Sequence, residues 1–144
     1  MDFKRTQGLK KDSDFRKVYK HGKSFANRNL VMYILDNKSD STRVGISVSK
    51  KVGNAINRNK IRRRIKESYR LNIDANVKYG YDIVFIARVA IKEADYKDIE
   101  KSMTQYVESN AASLADPDQR SNRARYSVME ADFKIGLAHP LIGV

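Results

Sequence analysis

The feature that most constrains the fold is the stretch 51–70, KVGNAINRNKIRRRIKESYR. Eight of its twenty residues are Lys or Arg, and one, Glu67, is acidic. On a helical wheel of about 100° per residue, Ile61, Ile65 and Ser68 fall within about 60° of one another. A helix with so narrow an apolar stripe can pack against one face of a sheet. Most of its circumference must then face away from the core.

The outward arc of this predicted helix is dominated by positive charge. Six polar residues, five of them cationic, lie on it: Arg58, Asn59, Arg62, Arg63, Lys66 and Arg70. Like charges four residues apart destabilise a helix by a few tenths of a kcal/mol per pair. A solvated face would alternate signs, so the arc predicts a surface for a polyanion. Arg forms bidentate bonds to phosphate, Asn can bond a base edge, and a helix start at Gly53 and Asn54 adds N–H donors.

The charge of the whole chain supports a polyanionic partner. The 144 residues have a net charge of +12 and a pI of about 9.9. Residues 1–107 hold 25 Lys/Arg against 12 Asp/Glu, whereas residues 108–144 hold 4 against 5. A pI above 9 is typical of nucleic-acid-binding domains. An anionic membrane surface is the alternative, but it favours an amphipathic helix with a wide apolar face, which the sequence lacks.

Composition and length narrow the class of protein. The hydrophobic fraction of 41% is enough for a core, and the length fits one domain. The absence of Cys excludes a disulfide framework and a thiolate zinc site. No apolar run approaches the roughly 18 residues of a membrane span, and the N-terminus lacks the apolar segment of a secretory signal. We therefore expect a cytoplasmic protein with a folded domain at 1–107 and a flexible extension at 108–144.

Hydrophobic periodicity predicts a mixed fold. The coarse order is α-β-β-α-β-α, with elements at 9–22, 23–36, 43–50, 51–70, 81–88 and 96–107. The strands 23–36 and 43–50, separated by a short polar turn, predict a hairpin. The strands 43–50 and 81–88 are joined by a long helix, so we expect them to be parallel. Asp12 or Ser13 is the expected N-cap of the first helix, with Gly22 following its last turn, and Asp95 caps the last helix.

The first two strands carry apolar residues on both faces. A period of two places one set of side chains on one face and a second set on the other: Phe25, Val31, Tyr33 and Leu35 against Leu30, Met32 and Ile34. In the next strand, Gly45, Ser47 and Ser49 form a small polar face that another molecule can approach. Phe15 and Tyr19 share a helix face and, with Tyr33, are candidates for base stacking, although aromatic residues at this spacing are more often core.

The sequence contains no catalytic constellation. A protein nuclease needs paired carboxylates for two metal ions, or a His acid and base. His21 and His139 are far apart, and Asp82, alone on a predicted strand, fits a structural role. From the residues alone, two hypotheses stay open: a ribosomal or general RNA-binding protein, which the charge favours, and a metal-dependent protein nuclease.

Four blocks in this order and spacing resemble a known family: DFRKVYKHG, RVGISVSKK, KKVGNAINRNKIRRRIKE, which shares its opening lysines with the second, and YDIVFIAR. Together they cover about residues 4–107 and are similar to the bacterial ribonuclease P protein subunit. The resemblance implies an α+β fold, an α-β-β-β-α-β-α sandwich with one mixed sheet and a left-handed β-α-β crossover, like domain 2 of ribosomal protein S5. It therefore implies one more strand than the periodicity gives.

The resemblance also implies a function in tRNA 5′ maturation. In this family a catalytic RNA cleaves precursor tRNA with Mg²⁺ bound mainly by RNA, and the protein assists, with one protein expected per RNA and no intrinsic cofactor. The implied contacts to the catalytic RNA are Arg58, Asn59, Lys60, Arg62, Arg63, Lys66 and Arg70. The implied cleft for the single-stranded 5′ leader, between the sheet and the first helix, consists of Phe15, Tyr19, Val31, Tyr33, Lys50 and Lys51.

Two departures from the family pattern stand out. The family commonly has Arg-Asn-Arg where this chain has Arg-Asn-Lys, and Lys60 keeps the charge without the bidentate fork. The family also commonly ends in a basic tail, whereas residues 108–144 lean acidic. We therefore expect a general phosphate contact at Lys60, and we assign no role to the extension.

Overall fold

A computed structural model describes the backbone of residues 3–114 and the side chains of residues 3–105. Its helices and strands follow in chain order: β1 (Thr6–Gly8), α1 (Asp12–His21), β2 (Lys23–Ala26), β3 (Leu30–Asp36), β4 (Thr42–Ser47), α2 (Ala55–Asn72), β5 (Tyr81–Ala87) and α3 (Tyr96–Leu114). Short 3₁₀ turns at Asp74–Asn76 and Val89–Glu93 follow α2 and β5. The helix and strand types predicted from periodicity are therefore confirmed.

The strands form one mixed sheet in the order β1-β4-β5-β3-β2. The β1–β4 and β4–β5 pairs are parallel, and the β5–β3 and β3–β2 pairs are antiparallel. The predicted parallel pair joined by a long helix is confirmed, because α2 connects β4 to β5. The α+β sandwich with one mixed sheet is confirmed as well, while the hand of the β4-α2-β5 crossover stays a prediction.

The predicted hairpin between 23–36 and 43–50 is wrong. β5 lies between β3 and β4, where it pairs Tyr33 with Val84 on one side and Gly45 with Val84 on the other. Residues 37–41 bridge two strand spacings of about 4.8 Å each, which five residues can span easily. A short polar loop is thus compatible with both arrangements. The hairpin that does form joins β2 to β3, inside the segment that periodicity treated as one strand.

Helices cover both faces of the sheet. The larger core lies under α2 and α3, which contribute Ile61, Ile65, Tyr69, Ile99 and Met103 to it. The smaller core lies under α1, where Val18 packs with residues of β3 and β5. β3 and β5 are therefore buried on both faces, which explains why the corresponding segments are apolar almost throughout.

The predicted face of Phe25 is also wrong. Phe25 pairs with Met32 across the β2–β3 hairpin and belongs to the core under α2 and α3, not to the face of Val31 and Tyr33. The prediction counted the alternation of faces continuously from residue 25 to residue 35. The turn between β2 and β3 interrupts that alternation. Asn27 builds that turn by accepting hydrogen bonds at Oδ1 from the backbone N–H groups of Asn29 and Leu30, at 3.2 and 3.1 Å.

Helix ends agree with the sequence at three of five predicted positions, and the first is Gly22, which follows α1 and donates its N–H to the Val18 carbonyl. The Asn54 side chain caps α2 by accepting from the Asn57 N–H at 2.9 Å, and Asp95 caps α3 through the Asp98 N–H at 2.9 Å. The N-cap of α1 is Lys11, with no side-chain cap bond, rather than Asp12 or Ser13. The predicted end of the last helix is wrong too, since α3 continues past residue 107 to Leu114.

The first residues of the extension have a composition that is compatible with a helix. Residues 108–114, ESNAASL, contain Glu, Ala and Leu, and no Gly or Pro, so nothing in them ends a helix. Residues 115–144, including His139, lie outside the described residues, so the division of the chain near residue 107 stays a prediction. In the described part of the chain, no helix is both long enough and apolar enough to span a membrane.

Gly22 lets α1 end close to the sheet, and its replacement gives a first testable prediction. A Cβ at Gly22 would lie 2.6 Å from the Val18 carbonyl oxygen and 3.0 Å from that of Ile34. Both are backbone atoms, so the helix end must move. We expect Gly22→Ala to lower the free energy of unfolding by about 1–3 kcal/mol, measured by denaturant titration. Gly8→Ala is the control, because its Cβ would meet only Lys10 Cε at 3.7 Å; equal losses in the two variants would contradict the prediction.

Candidate nucleic-acid interface

The apolar stripe of α2 attaches the helix to the sheet as predicted. Ile61, Ile65 and Ser68 are buried, at 6%, 0% and 0% exposure. Tyr69 joins them at 0% and was missed by the wheel. Its hydroxyl hydrogen-bonds Thr6 Oγ1 at 2.9 Å, and its ring packs edge-on against Phe3 at 5.1 Å between centroids. The segment before α1 therefore covers part of α2, and no pattern local to α2 could have indicated this.

The outward arc of α2, together with Lys60 on its flank and without Arg70, forms a surface that we call the cationic ridge: Arg58, Asn59, Lys60, Arg62, Arg63 and Lys66. Arg58 and Arg62 are half-buried and the other four are exposed. Among the described residues, none of the five cations has a carboxylate within 4 Å. Arg58 Nε is buried and has no hydrogen-bond partner. The ridge thus carries uncompensated positive charge held on a rigid helix.

Arg70 differs from the residues of the ridge. Its guanidinium forms an ion pair with Glu67, three residues earlier, through both Nε and Nη2. The hydrogen bond from Arg70 lowers the pKa of Glu67, which keeps the carboxylate charged. Of the residues predicted to contact the catalytic RNA, Arg70 is therefore the one whose charge is already compensated.

The residues predicted for the cleft divide into a half-buried aromatic pair on α1 and a buried support on β3. Phe15 and Tyr19 are half-buried, with ring centroids 6.3 Å apart. Tyr33 lies beneath Tyr19 in an edge-on contact at 5.1 Å and is only 3% exposed, and Val31 is fully buried. Phe15 and Tyr19 can reach a ligand in this conformation. Tyr33 and Val31, which were predicted for the same cleft, support them from below.

Gly45 and Ser47 of β4 form the floor beside these rings. A Cβ at Gly45 would lie 2.4 Å from Phe15 Cζ, so only glycine allows the ring to sit this close to the strand. Burial raises the pKa of the Tyr19 hydroxyl, and the neighbouring Ser47 side chain partly offsets the rise. The small polar face predicted for this strand is therefore partly occupied by α1 itself.

Two adjoining pockets of about 390 and 560 Å³ form a groove that runs past this floor. Both are lined by Phe15, Ile46 and Arg62, and Lys66 lines the larger one. Arg62 Nη1 donates to Asn59 Oδ1 at 2.8 Å and Nη2 to the Val48 carbonyl at 3.4 Å. The groove is thus bounded by aromatic rings on one side and by two cations of the ridge on the other.

One end of the groove coincides with an open strand edge. β1 pairs with β4 only over Thr42–Val44, and the last bond of this pairing runs from the Leu9 N–H to the Val44 carbonyl at 2.8 Å. In the described part of the chain, no further strand covers that edge of β4 beyond Val44. Lys50 and Lys51 are exposed just past the end of β4, without lining either pocket.

A charged cluster that sequence reasoning missed ties α1 to the sheet. Arg43 of β4 donates from Nε and Nη2 to the two carboxylate oxygens of Asp82, at 2.9 and 2.6 Å. Its Nη1 donates to Asp14 Oδ2 at 3.1 Å. Asp82 is 2% exposed and also accepts from Asn37 Nδ2 at 2.8 Å. The structural role predicted for Asp82 fits these contacts, whereas its partners depend on the strand order.

The described residues hold no group of three or more His, Asp or Glu side chains arranged to bind a metal ion. Asp14 and Asp82 are bridged by Arg43, and His21 lies exposed at the end of α1. What this surface offers a ligand is therefore positive charge, aromatic rings and a floor of small polar and apolar residues.

Comparison with known proteins assigns the family. The family model Ribonuclease P matches residues 3–110. The ribonuclease P protein component of Clostridioides difficile (strain 630) is 70% identical over 114 residues, which cover 79% of this chain and all of that one. The RNase P protein structures of Staphylococcus aureus and Thermotoga maritima are 39% and 32% identical. Their TM-scores are 0.68 and 0.63, and the matches cover 76% and 69% of this chain and 97% and 94% of theirs. The chain belongs to the ribonuclease P protein family.

Proposed function

We propose that this chain is the RNA-binding protein subunit of ribonuclease P and assists a catalytic RNA in the endonucleolytic removal of the 5′ leader from precursor tRNA. The observation that carries the proposal is the groove between Phe15 and Arg62, where an aromatic wall faces a cationic one over a floor of small polar and apolar residues. Proteins that bind single-stranded nucleic acid use this combination, because the bases stack on aromatic rings while cations contact the phosphate backbone.

The cationic ridge is the proposed contact to the catalytic RNA. An α-helix whose cations lack ion-pair partners repels itself, and phosphates remove that repulsion. The half-buried Arg58 can give a bidentate contact to phosphate, since its guanidinium has the planar fork that this contact needs. Lys60 is exposed and carries a single ammonium group instead of a guanidinium. Its proposed phosphate contact is therefore not bidentate. Arg70 is excluded from the proposal as a major contact, since Glu67 already compensates its charge.

The groove is the proposed site of the 5′ leader. Phe15 and Tyr19 offer faces for stacking, and Arg62 and Lys66 offer charge for the backbone between bases. Lys50 and Lys51 lie where the strand would leave the groove. Arg62 belongs to the cationic ridge and also lines the groove. We therefore propose that it contacts both the catalytic RNA and the 5′ leader. Tyr33 and Val31 act indirectly, by supporting the aromatic wall.

The reaction itself is assigned to the RNA subunit. Among the described residues, Asp12 is the one carboxylate that lines the groove, no His lines it, and no group of three or more acidic or His side chains is placed to bind a metal ion. The family resemblance supplies the alternative of RNA catalysis with RNA-bound Mg²⁺. The protein contributes binding energy and charge neutralisation. We further propose one protein per catalytic RNA and a location in the cytoplasm.

A cleavage assay with precursor tRNA at low Mg²⁺ tests the function. Three reactions are compared: protein alone, cognate catalytic RNA alone, and both together. We expect cleavage of leader-bearing substrate to rise when protein is added to RNA, and no cleavage by protein alone after removal of contaminating RNA and nucleases. A general RNA-binding protein would leave the RNA-alone rate unchanged. Cleavage by the protein alone would favour a protein nuclease instead.

A further inference from the structure

The Arg43 guanidinium is held by the sheet and reaches only one group on α1. Nε and Nη2 chelate both oxygens of Asp82, whose carboxylate is nearly inaccessible and is also bound by Asn37. This fork fixes the plane of the guanidinium. The remaining nitrogen, Nη1, points at Asp14 in the first turn of α1 at 3.1 Å. The Arg43 guanidinium is therefore held in a fixed position on β4, and α1 is attached to it through Asp14.

The attachment lies directly beside the aromatic wall of the groove. Arg43 and Gly45 are two residues apart on β4, so their side-chain positions are on the same face of the strand. Asp14 and Phe15 are adjacent in α1, and Phe15 sits against Gly45. A shift of α1 relative to Arg43 must therefore move the Phe15 ring across the groove floor. In the described residues, the Asp14–Arg43 bond is the one ion pair between α1 and the sheet.

The Asp14–Arg43 pair contributes little to stability, because its side chains are 26% and 31% exposed and surface-accessible pairs are worth little. We therefore expect the pair to act mainly on the position of α1 relative to β4. We propose that Arg43, acting through Asp14, is a positioning residue that holds α1 over β4 and so sets the width of the groove for the leader strand. This inference rests on the proposed function of the groove. Arg43 itself lines neither pocket and needs no contact with RNA.

Replacement of Asp14 by Asn changes the RNA affinity in opposite directions under the two explanations, electrostatic repulsion and positioning of α1. Removing a carboxylate near an RNA groove should strengthen RNA binding if charge alone matters. Removing the Asp14 attachment should weaken leader binding if position matters. Asp12→Asn is the matched control, because Asp12 is in the same helix turn, lines the smaller pocket and has no ion-pair partner among the described residues.

The experiment measures dissociation constants of leader-bearing precursor tRNA and mature tRNA for the holoenzyme reconstituted with its cognate RNA. We expect Asp14→Asn to weaken precursor binding about three- to tenfold and to leave mature tRNA binding unchanged. Asp12→Asn should bind the precursor equally or more tightly. Asp14→Glu should retain most of the affinity, and Arg43→Lys should lose it without further loss on adding Asp14→Asn. Asp14→Asn binding as tightly as Asp12→Asn overturns the proposal, and so do equal losses for both RNAs.

A second measurement separates failure of this inference from failure of the proposed function. In the full-length protein without RNA, the Phe15 ring should shift the NMR signals of the Gly45 Hα protons, and Asp14→Asn should change that shift. An unchanged Gly45 signal overturns the positioning role whatever the RNA affinity. A changed signal with unchanged precursor affinity overturns the link to the leader. In that case Phe15→Ala decides whether the groove binds the leader at all.

Discussion

Replacing three cations of the ridge with glutamine should weaken binding of the catalytic RNA on the order of 10³-fold. The variant is Arg58→Gln/Lys60→Gln/Arg63→Gln, chosen because none of these residues lines the groove. A hydrogen bond to a charged group is worth about 1.5 kcal/mol or more, and three such losses give this magnitude. Glutamine preserves helix propensity, so α2 should stay folded.

The salt dependence of that binding is the more specific measurement. Each lost phosphate contact should reduce the slope of log K against log salt by about 0.7–0.9, so the triple variant should lose about two to three units. The matched control is Lys92→Gln/Lys97→Gln/Lys101→Gln, which removes the same charge from exposed positions outside the ridge. Equal slopes in the two triple variants would falsify a local interface. Arg70→Gln should change the slope little, because Arg70 is paired with Glu67.

Phe15→Ala should weaken binding of leader-bearing precursor tRNA by about 1–3 kcal/mol, the value of one stacked base, and leave mature tRNA binding unchanged. Phe15 is half-buried and lines both pockets, so truncation removes the wall without opening the central core. Affinity of the holoenzyme for the two RNAs is the measurement. Tyr79→Ala, at an aromatic residue with 49% exposure that lines neither pocket, is the control.

Two further substitutions separate contact from support. Gly45→Ala should impair leader binding in the same direction, because its Cβ forces the Phe15 ring off the floor. Tyr33→Ala should chiefly lower stability, by about 3–5 kcal/mol, as expected for a buried aromatic side chain. A leader-specific loss in a fully stable Tyr33→Ala protein would mean that Tyr33 reaches the RNA directly and that the wall opens on binding.

The groove was predictable only in part, and particular residues show why. Phe15 and Tyr19 share a face at helical spacing, and the cations of α2 share an arc, so each wall follows from local periodicity. The family resemblance implied Tyr33 for the same cleft, and strand alternation gives the correct face of Tyr33 but not its depth. Its burial depends on how closely α1 approaches the sheet, and that approach depends on Gly45.

The strand order explains the remaining errors. Alternation and a polar loop cannot distinguish a hairpin from a connection that skips one strand, because both require the same five residues. Insertion of β5 between β3 and β4 brings Asp82 beside Arg43, although they are 39 positions apart. The N-terminal strand β1 is three residues long and was missed, since its pairing with β4 is stabilised by tertiary contacts and not by its own pattern.

The sequence by itself determined the helices and most of the strands, the narrow stripe that anchors α2, and the excess of positive charge on the rest of that helix. These depend on neighbours three or four residues apart in a helix or two apart in a strand, where local geometry decides. Only the tertiary structure decided which charges remain unpaired, which aromatic rings reach the surface and how α1 is attached beside the groove. Those properties depend on contacts between distant segments, which form only when the sheet closes and the helices pack on it.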